Sequence, residues 1–408
     1  MLDLPARLDQ DRRQGFGWAV MGAIWTRRIG AAVLVAALGA GTAFLVWPEP
    51  PRPATPVPTL SLAGDAGFQA ELGPPRPGWT ALPAQATGRA APGPAGQGYR
   101  HEWPGFHASA RFQGTGIVLR FDDAVNRWRV TLDGKAVEVS RPGRRDLHIR
   151  GLAPGRHEIR AEKISESAGP ALFGGFFLDD SAQALPPPDP APRLIEFIGD
   201  SDTVSFANTA SRRDCEAEEI YAATDTSRGF GPQVAAALGA DYRIVARSGI
   251  GLLRNYGGAE PDRTMDRLYP LALPGQPDAA PLPERKADMV VIGLGSNVFG
   301  SELAPGERWS DKGQLRHEFG PALADFAAAR AQENPGATLA LLAFGEYGPE
   351  LVEAHRTASK LLDRRGLANR LVVLGDPRRN ACLWHPSAED HAMIAQALVV
   401  ALKGPDPN

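Results

Sequence analysis

Cysteine is nearly absent from this chain: the 408 residues hold only Cys215 and Cys382. No CxxC or HxxxH spacing occurs among them and the eight histidines. That leaves no recognisable ligand set for a metal, and neither a metal nor a cofactor is expected. Charge of one sign is also missing. Lys and Arg number 44 against 47 Asp and Glu, for a net charge of −3, so the chain offers no basic excess with which to bind nucleic acid. At 43% hydrophobic residues, it has enough apolar side chains to exclude disorder as its general state. Long apolar runs are equally scarce, with one exception near the start.

Residues 30–47 carry no charge and are rich in Ala, Val and Leu. Their length is close to the roughly 17–25 residues that span a bilayer core. Arg27 and Arg28 precede the run, and the positive-inside bias then keeps residues 1–29 in the cytoplasm. Everything beyond would face the periplasm of a bacterial inner membrane. A cleaved signal segment is the rival reading, with small residues at Gly41-Thr42-Ala43 and a conventional start at Met21. Either way the chain is expected to be exported, beginning with a Pro-rich spacer at 48–58. In an oxidising compartment Cys215 and Cys382 are expected to pair as a disulfide, the alternative being two buried thiols.

Gly (45) and Pro (37) are plentiful instead, and they punctuate the chain. Residues 59–185 read as short strands between turns, at 112–121, 127–132, 137–139, 147–149, 157–162 and 172–178. Asp133-Gly134 is a two-residue hairpin signal. This spacing predicts a β-sandwich or jelly roll. After the Pro-rich stretch 186–192 the pattern changes. Apolar runs at 194–198, 242–246, 289–294, 338–344 and 371–374 alternate with helical candidates at 231–238, 315–333, 350–365 and 388–402. Residues 193–403 are therefore expected to form an α/β layer with a parallel sheet covered on both faces. Ser387 and Asp390 form a capping pattern at the last helix.

In an open parallel sheet, ligands bind beyond the carboxyl ends of the strands. Four polar blocks fall there: Gly199-Asp200-Ser201, Ser248-Gly249, Gly295-Ser296-Asn297 and His385. A serine hydroxyl needs a base to become a nucleophile, and imidazole titrates in the right range. The oxyanion that follows needs fixed donors. Ser201 thus reads as nucleophile and His385 as base, with the Ser201 and Gly249 amides and the Asn297 carboxamide as oxyanion donors. Each block alone has a plainer reading as a turn, a cap or a packing histidine.

The segment 193–403 resembles the SGNH (GDSL-like) hydrolases through these four blocks. More narrowly, Ile195–Ser201, Ser248–Tyr256 and Cys382-Leu383-Trp384-His385-Pro386 resemble the blocks of carbohydrate esterase family 2. Members of that family join a β-sandwich to an SGNH domain with a flavodoxin-like sheet. The resemblance implies an exported serine esterase that removes O-acetyl groups from an oligo- or polysaccharide through an acetyl-serine intermediate. The alternatives are an O-acetyltransferase using the same pair and a catalytically silent carbohydrate-binding or scaffold protein. Arg254, Asn255, Tyr256 and Trp384 are candidates to contact the sugar. The chain departs from the pattern in three places. Cys382 stands where an Asp often precedes the histidine, which favours a Ser–His dyad oriented by a backbone carbonyl and leaves Asp376 as a remote candidate acid. Val298 follows Asn297 where Asp is frequent, and Asp202 replaces a common apolar residue.

Overall fold

The computed structural model describes residues 57–62, 67–167, 169–375 and 377–403. The run 30–47, and with it the expected anchor or signal segment, lies outside the described residues, as does Asp376. Among the described residues, no helix is long and apolar enough to cross a membrane.

Residues 59–185 build an antiparallel sheet of twelve strands among the described residues. Four carry most of it: β1 (His107–Asp123), β2 (Arg127–Leu132), β3 (Gly143–Lys163) and β4 (Ala171–Leu178). Alternation along β2 buries Trp128, Val130 and Leu132 and turns Arg127, Arg129 and Thr131 outward. Trp128 meets Phe121 and Phe173 at ring-centroid distances of 5.3 Å each. A fully buried ring of this kind contributes about 1.5–3 kcal/mol. After β2, Asp133 (φ 49°) and Gly134 (φ 82°) make the two-residue turn that their sequence signals.

The break expected between 149 and 157 is not a turn. β3 runs through it, and its register against β1 shifts between Arg150 and Gly155. Pro154 has no N–H to give a ladder, and the bulge takes it out of pairing. Beyond the bulge the two long strands resume pairing, with Gly155 opposite Gly114. Their two halves have different neighbours. Residues 146–150 of β3 pair with Gln69–Gly73, whereas 159–163 pair with β2.

The second layer is a parallel sheet of β5 (Arg193–Gly199), β6 (Ala240–Ala246), β7 (Met289–Gly293), β8 (Thr338–Phe344) and β9 (Asn369–Leu374). The strand order is β6-β5-β7-β8-β9. Apart from Glu196, the buried positions of its inner strands are apolar on both faces because both are covered. One side packs on Phe230–Ala237 and Ala388–Lys403, the other on Lys312–Glu333 and Pro349–Arg364. The order reverses between β5 and β7, which opens a crevice at the strands' carboxyl ends.

Among the described residues the two layers belong to one compact unit. Polar bonds join them. Asp241 accepts from Thr87 Oγ1 at 2.8 Å and bonds His107 Nε2 at 2.9 Å. Glu196, wholly buried in β5, is held by Arg243 and Tyr269 at 2.8 Å each and by Arg89 at 3.5 Å. A buried carboxylate is tolerable only when paired in this way.

Candidate active site

β5 ends at Gly199, where a Cβ would lie 2.0 Å from Thr203 Oγ1. The close turn therefore requires glycine. Helix α1 (Ser201–Val204) starts at once, with Asp200 as its N-cap. One Asp200 oxygen accepts the Asp202 N–H at 3.1 Å, and the other is bonded by Ser296 Oγ. Burial, reinforced by the Asp202 charge, pushes the Asp200 carboxyl up to about 8. Ser201 is thereby placed at the first position of a helix, where its N–H has no intrahelical acceptor.

The neighbouring strand ends close in on it. After β6, Gly249 adopts φ 79°, a conformation that costs a side-chain-bearing residue energy. Its carbonyl accepts from Tyr256 N at 3.0 Å, folding the loop back on itself. After β7, Asn297 lies in the short helix Ser296–Phe299 and donates one amide hydrogen to Ile250 O at 2.9 Å. A carboxamide carries two N–H groups, so one remains for an oxyanion. Each block is bonded to the next: Asp200 to Ser296, and Asn297 to Ile250 beside Gly249.

His385 completes the set. Its Nδ1 is 2.9 Å from the Cys382 carbonyl oxygen. A carbonyl only accepts, so Nδ1 carries the hydrogen and Nε2 is the free basic nitrogen. The position that often holds an Asp is thus filled by a backbone carbonyl three residues upstream. The His385 ring also lies 4.4 Å from that of Phe206, whose N–H bonds Ser201 O at 3.0 Å. Cys382 is joined to Cys215 by a disulfide, which ties the His385 loop to the loop that follows Ser201. Asp390 organises the same loop. Its carboxylate accepts from the N–H groups of Arg378, Arg379 and Ser387, and the Ser387 hydroxyl caps the Asp390 N–H in return.

Nothing in the spacing of the sequence announces Arg379. Its buried guanidinium grips both Asp202 oxygens at 3.0 and 2.7 Å and reaches Glu346 at 2.6 Å. It also bonds the Trp384 carbonyl at 3.4 Å. Arg379 therefore spans Asp202, next to Ser201, and Trp384, next to His385. Burial alone would raise the Asp202 carboxyl, but Arg379 outweighs it and holds the group below its ordinary range.

The candidate sugar-contacting residues divide. Trp384 and Tyr256 are 44% and 38% exposed, and the Arg213 guanidinium stacks on Trp384 at 3.5 Å. Arg254 and Asn255 are buried instead. Arg254 is bound by Glu307, Ser301 and the carbonyls of Val298 and Glu302. Asn255 bonds Gly251 N and the carbonyls of Ala259 and Glu260. Their polar atoms shape the loop rather than face the crevice. Leu383 and Trp384 both hold positive φ, 53° and 62°. That strain is carried by the disulfide and by the bond from Leu383 N to Arg213 O at 2.7 Å.

The chain is similar to known proteins. The family profile "Carbohydrate esterase 2 N-terminal" matches residues 86–188. An acetylxylan esterase / glucomannan deacetylase of Cellvibrio japonicus is 35% identical over 328 residues, covering 79% of this chain and 91% of that protein. The cellulase/esterase CelE of Acetivibrio thermocellus is 26% identical over 313 residues, 74% of this chain but only 37% of that longer protein. Among solved structures, a carbohydrate esterase described as having an active site with divergent catalytic and non-catalytic binding functions superposes with TM-score 0.74 at 33% identity. It covers 80% of this chain and 99% of that one.

Proposed function

Because the chain belongs to carbohydrate esterase family 2, we propose that it is an exported deacetylase of acetylated β-glycans of the xylan and glucomannan class. His385 Nε2 takes the proton of Ser201 Oγ as that oxygen attacks the acetyl carbonyl carbon. The amides of Ser201 and Gly249 and the free N–H of Asn297 receive the oxyanion. Collapse breaks the bond to the sugar oxygen, which leaves with the proton from His385. Water then repeats the sequence on acetyl-Ser201 and releases acetate. Trp384 and Tyr256 offer exposed rings to the apolar faces of sugar units near the base.

The observation that supports this reading is the hydrogen bond from the His385 ring to Cys382 O, which leaves Nε2 as the nitrogen able to take a proton. Export is supported by the disulfide, since such bonds persist in oxidising compartments, and by the apolar run 30–47. Incubation of the purified protein with acetylated xylan is expected to release acetate, and quenching should trap Ser201 one acetyl group heavier. Acetate appearing only on an added sugar acceptor would make the protein a transferase. Glycan binding without either product would make it a silent binder.

Burial, the largest influence on His385, moves its pKa below the ordinary value of about 6.5. Asp202 and the Cys382 carbonyl oppose that shift, and Arg379 adds to it. The base works when neutral, and a lowered pKa keeps it neutral further into acid. The acid limb of kcat/KM for a neutral acetyl ester should therefore have its midpoint below pH ~6.5.

A further inference from the structure

Glu166 belongs to the antiparallel layer, yet its carboxylate lies against the second strand-end block of the parallel layer. Oε1 accepts the Ser248 N–H at 2.7 Å and Oε2 accepts the Ser248 hydroxyl at 2.6 Å. Both groups are donors, and a carboxylate, which only accepts, matches the pair with two charge-assisted bonds.

The segment that presents Glu166 is itself fixed. Ile164 exchanges backbone bonds with Arg127 O and Thr226 N, each 2.9 Å. Ser165 Oγ takes the Arg127 N–H at 2.9 Å and donates to Asn126 Oδ1 at 3.1 Å. Ser167 Oγ bonds the same Asn126 oxygen at 2.9 Å. The buried Lys163 ammonium donates to Ser167 Oγ at 2.7 Å and to Glu102 O at 2.6 Å. A surface carboxylate on a loose loop would be screened and mobile. This one extends from a strand end held by seven internal bonds.

The peptide unit next to Ser248 contains the Gly249 N–H, and Gly249 sits at φ 79° with open space on its Cβ side. Glycine leaves that unit free to rotate unless a neighbour holds it. We propose that Glu166 is a positioning residue: by clamping both donors of Ser248 it aims the Gly249 N–H at the oxyanion, so the β-layer completes the oxyanion hole of the other layer. This rests on the serine mechanism proposed above, in which the Gly249 amide serves the oxyanion.

The test compares Glu166→Ala, Glu166→Gln, Ser248→Ala and the Glu166→Ala/Ser248→Ala double variant on 4-nitrophenyl acetate, a substrate too small to reach the β-layer. Losing a whole oxyanion donor costs roughly 10²–10³ in kcat, so mis-aiming one should lower kcat at least ~10-fold in Glu166→Ala with KM within about twofold. Glu166→Gln keeps one acceptor for the Ser248 N–H and can donate to its hydroxyl, so it should recover most of kcat. The double variant should fall no further than the worse single one, as expected for two residues acting as a unit. The proposal is overturned by a Glu166→Ala kcat within about twofold of wild type, by losses that multiply in the double variant, or by a loss confined to KM. If Glu166→Ala does not fold, Glu166→Gln and Ser248→Ala carry the same comparison. Failure of the underlying reading looks different: Ser201→Ala would then keep wild-type turnover.

Discussion

Ser201→Ala should abolish hydrolysis of acetylated xylan, with kcat lower by on the order of 10⁶, the scale found when the nucleophile of a serine hydrolase is removed. The substitution deletes one oxygen at the first position of α1 and leaves the Asp200 cap and the backbone turn in place. The thermal midpoint should therefore stay within a few degrees of wild type. Affinity for the glycan should be kept, because Trp384 and Tyr256 stand outside the change. Any residual rate comes from the oxyanion donors acting on water alone. Acetate release at the wild-type rate by the alanine variant would end the serine mechanism, and equal loss of binding would show that the protein had unfolded. The same variant should give no acetylated species on quenching, which ties the rate to the covalent intermediate.

The site's polar ends were readable from the chain because they depend on local rules. A strand's length and apolarity place Gly199, Gly249 and Gly295 near its exit, and a short polar residue stands within two positions of each: Ser201, Ser248 and Asn297. The Asp133-Gly134 turn and the Ser387/Asp390 cap were legible for the same reason, as both are set within four residues. The chain departed from this reading wherever long-range pairing overrode a local signal. Pro154-Gly155 looks like a turn, yet the ladder between β1 and β3 resumes beyond it and absorbs the proline in a bulge. Arg254 looks like a ligand contact because charged loop residues usually face water. Here Glu307, more than fifty positions away, pulls it inward. Glu166 and Arg379 were invisible for an equivalent reason: each acts through a partner in a distant block, and no periodicity encodes that meeting. Asp202 did stand out as a charge at a commonly apolar position, but its partner could be found only in three dimensions.

That partner supplies the second large effect. Arg379→Met should lower unfolding stability by about 3–5 kcal/mol, the cost of leaving one member of a buried ion pair uncompensated. Asp202 is 1% exposed on its side chain and Arg379 8%, so water cannot replace the lost guanidinium. The penalty depends on pH with a definite sign. In the wild type the Asp202 pKa is depressed, so the pair's contribution is full above the unfolded carboxylate value of about 4 and is lost as pH falls through the folded value. In the variant burial raises the same carboxyl, and protonation in acid relieves it. The gap between the two proteins in urea unfolding should therefore be widest near neutrality and narrow toward pH ~4. Glu346, whose carboxyl burial already pushes upward, can take a proton when its own partner is gone. Pairing Arg379→Met with Asp202→Leu removes both charges and restores an apolar residue after the nucleophile. That double variant should regain most of the lost stability, because well-packed apolar replacements of buried ion pairs are often neutral or better. It should not regain full activity. The guanidinium also holds the Trp384 carbonyl at 3.4 Å, next to His385, and no leucine or methionine can donate that bond. Recovery of stability without recovery of kcat would separate the two roles of Arg379, whereas a double variant as unstable as Arg379→Met alone would show that the Asp202 charge was not the source of the penalty.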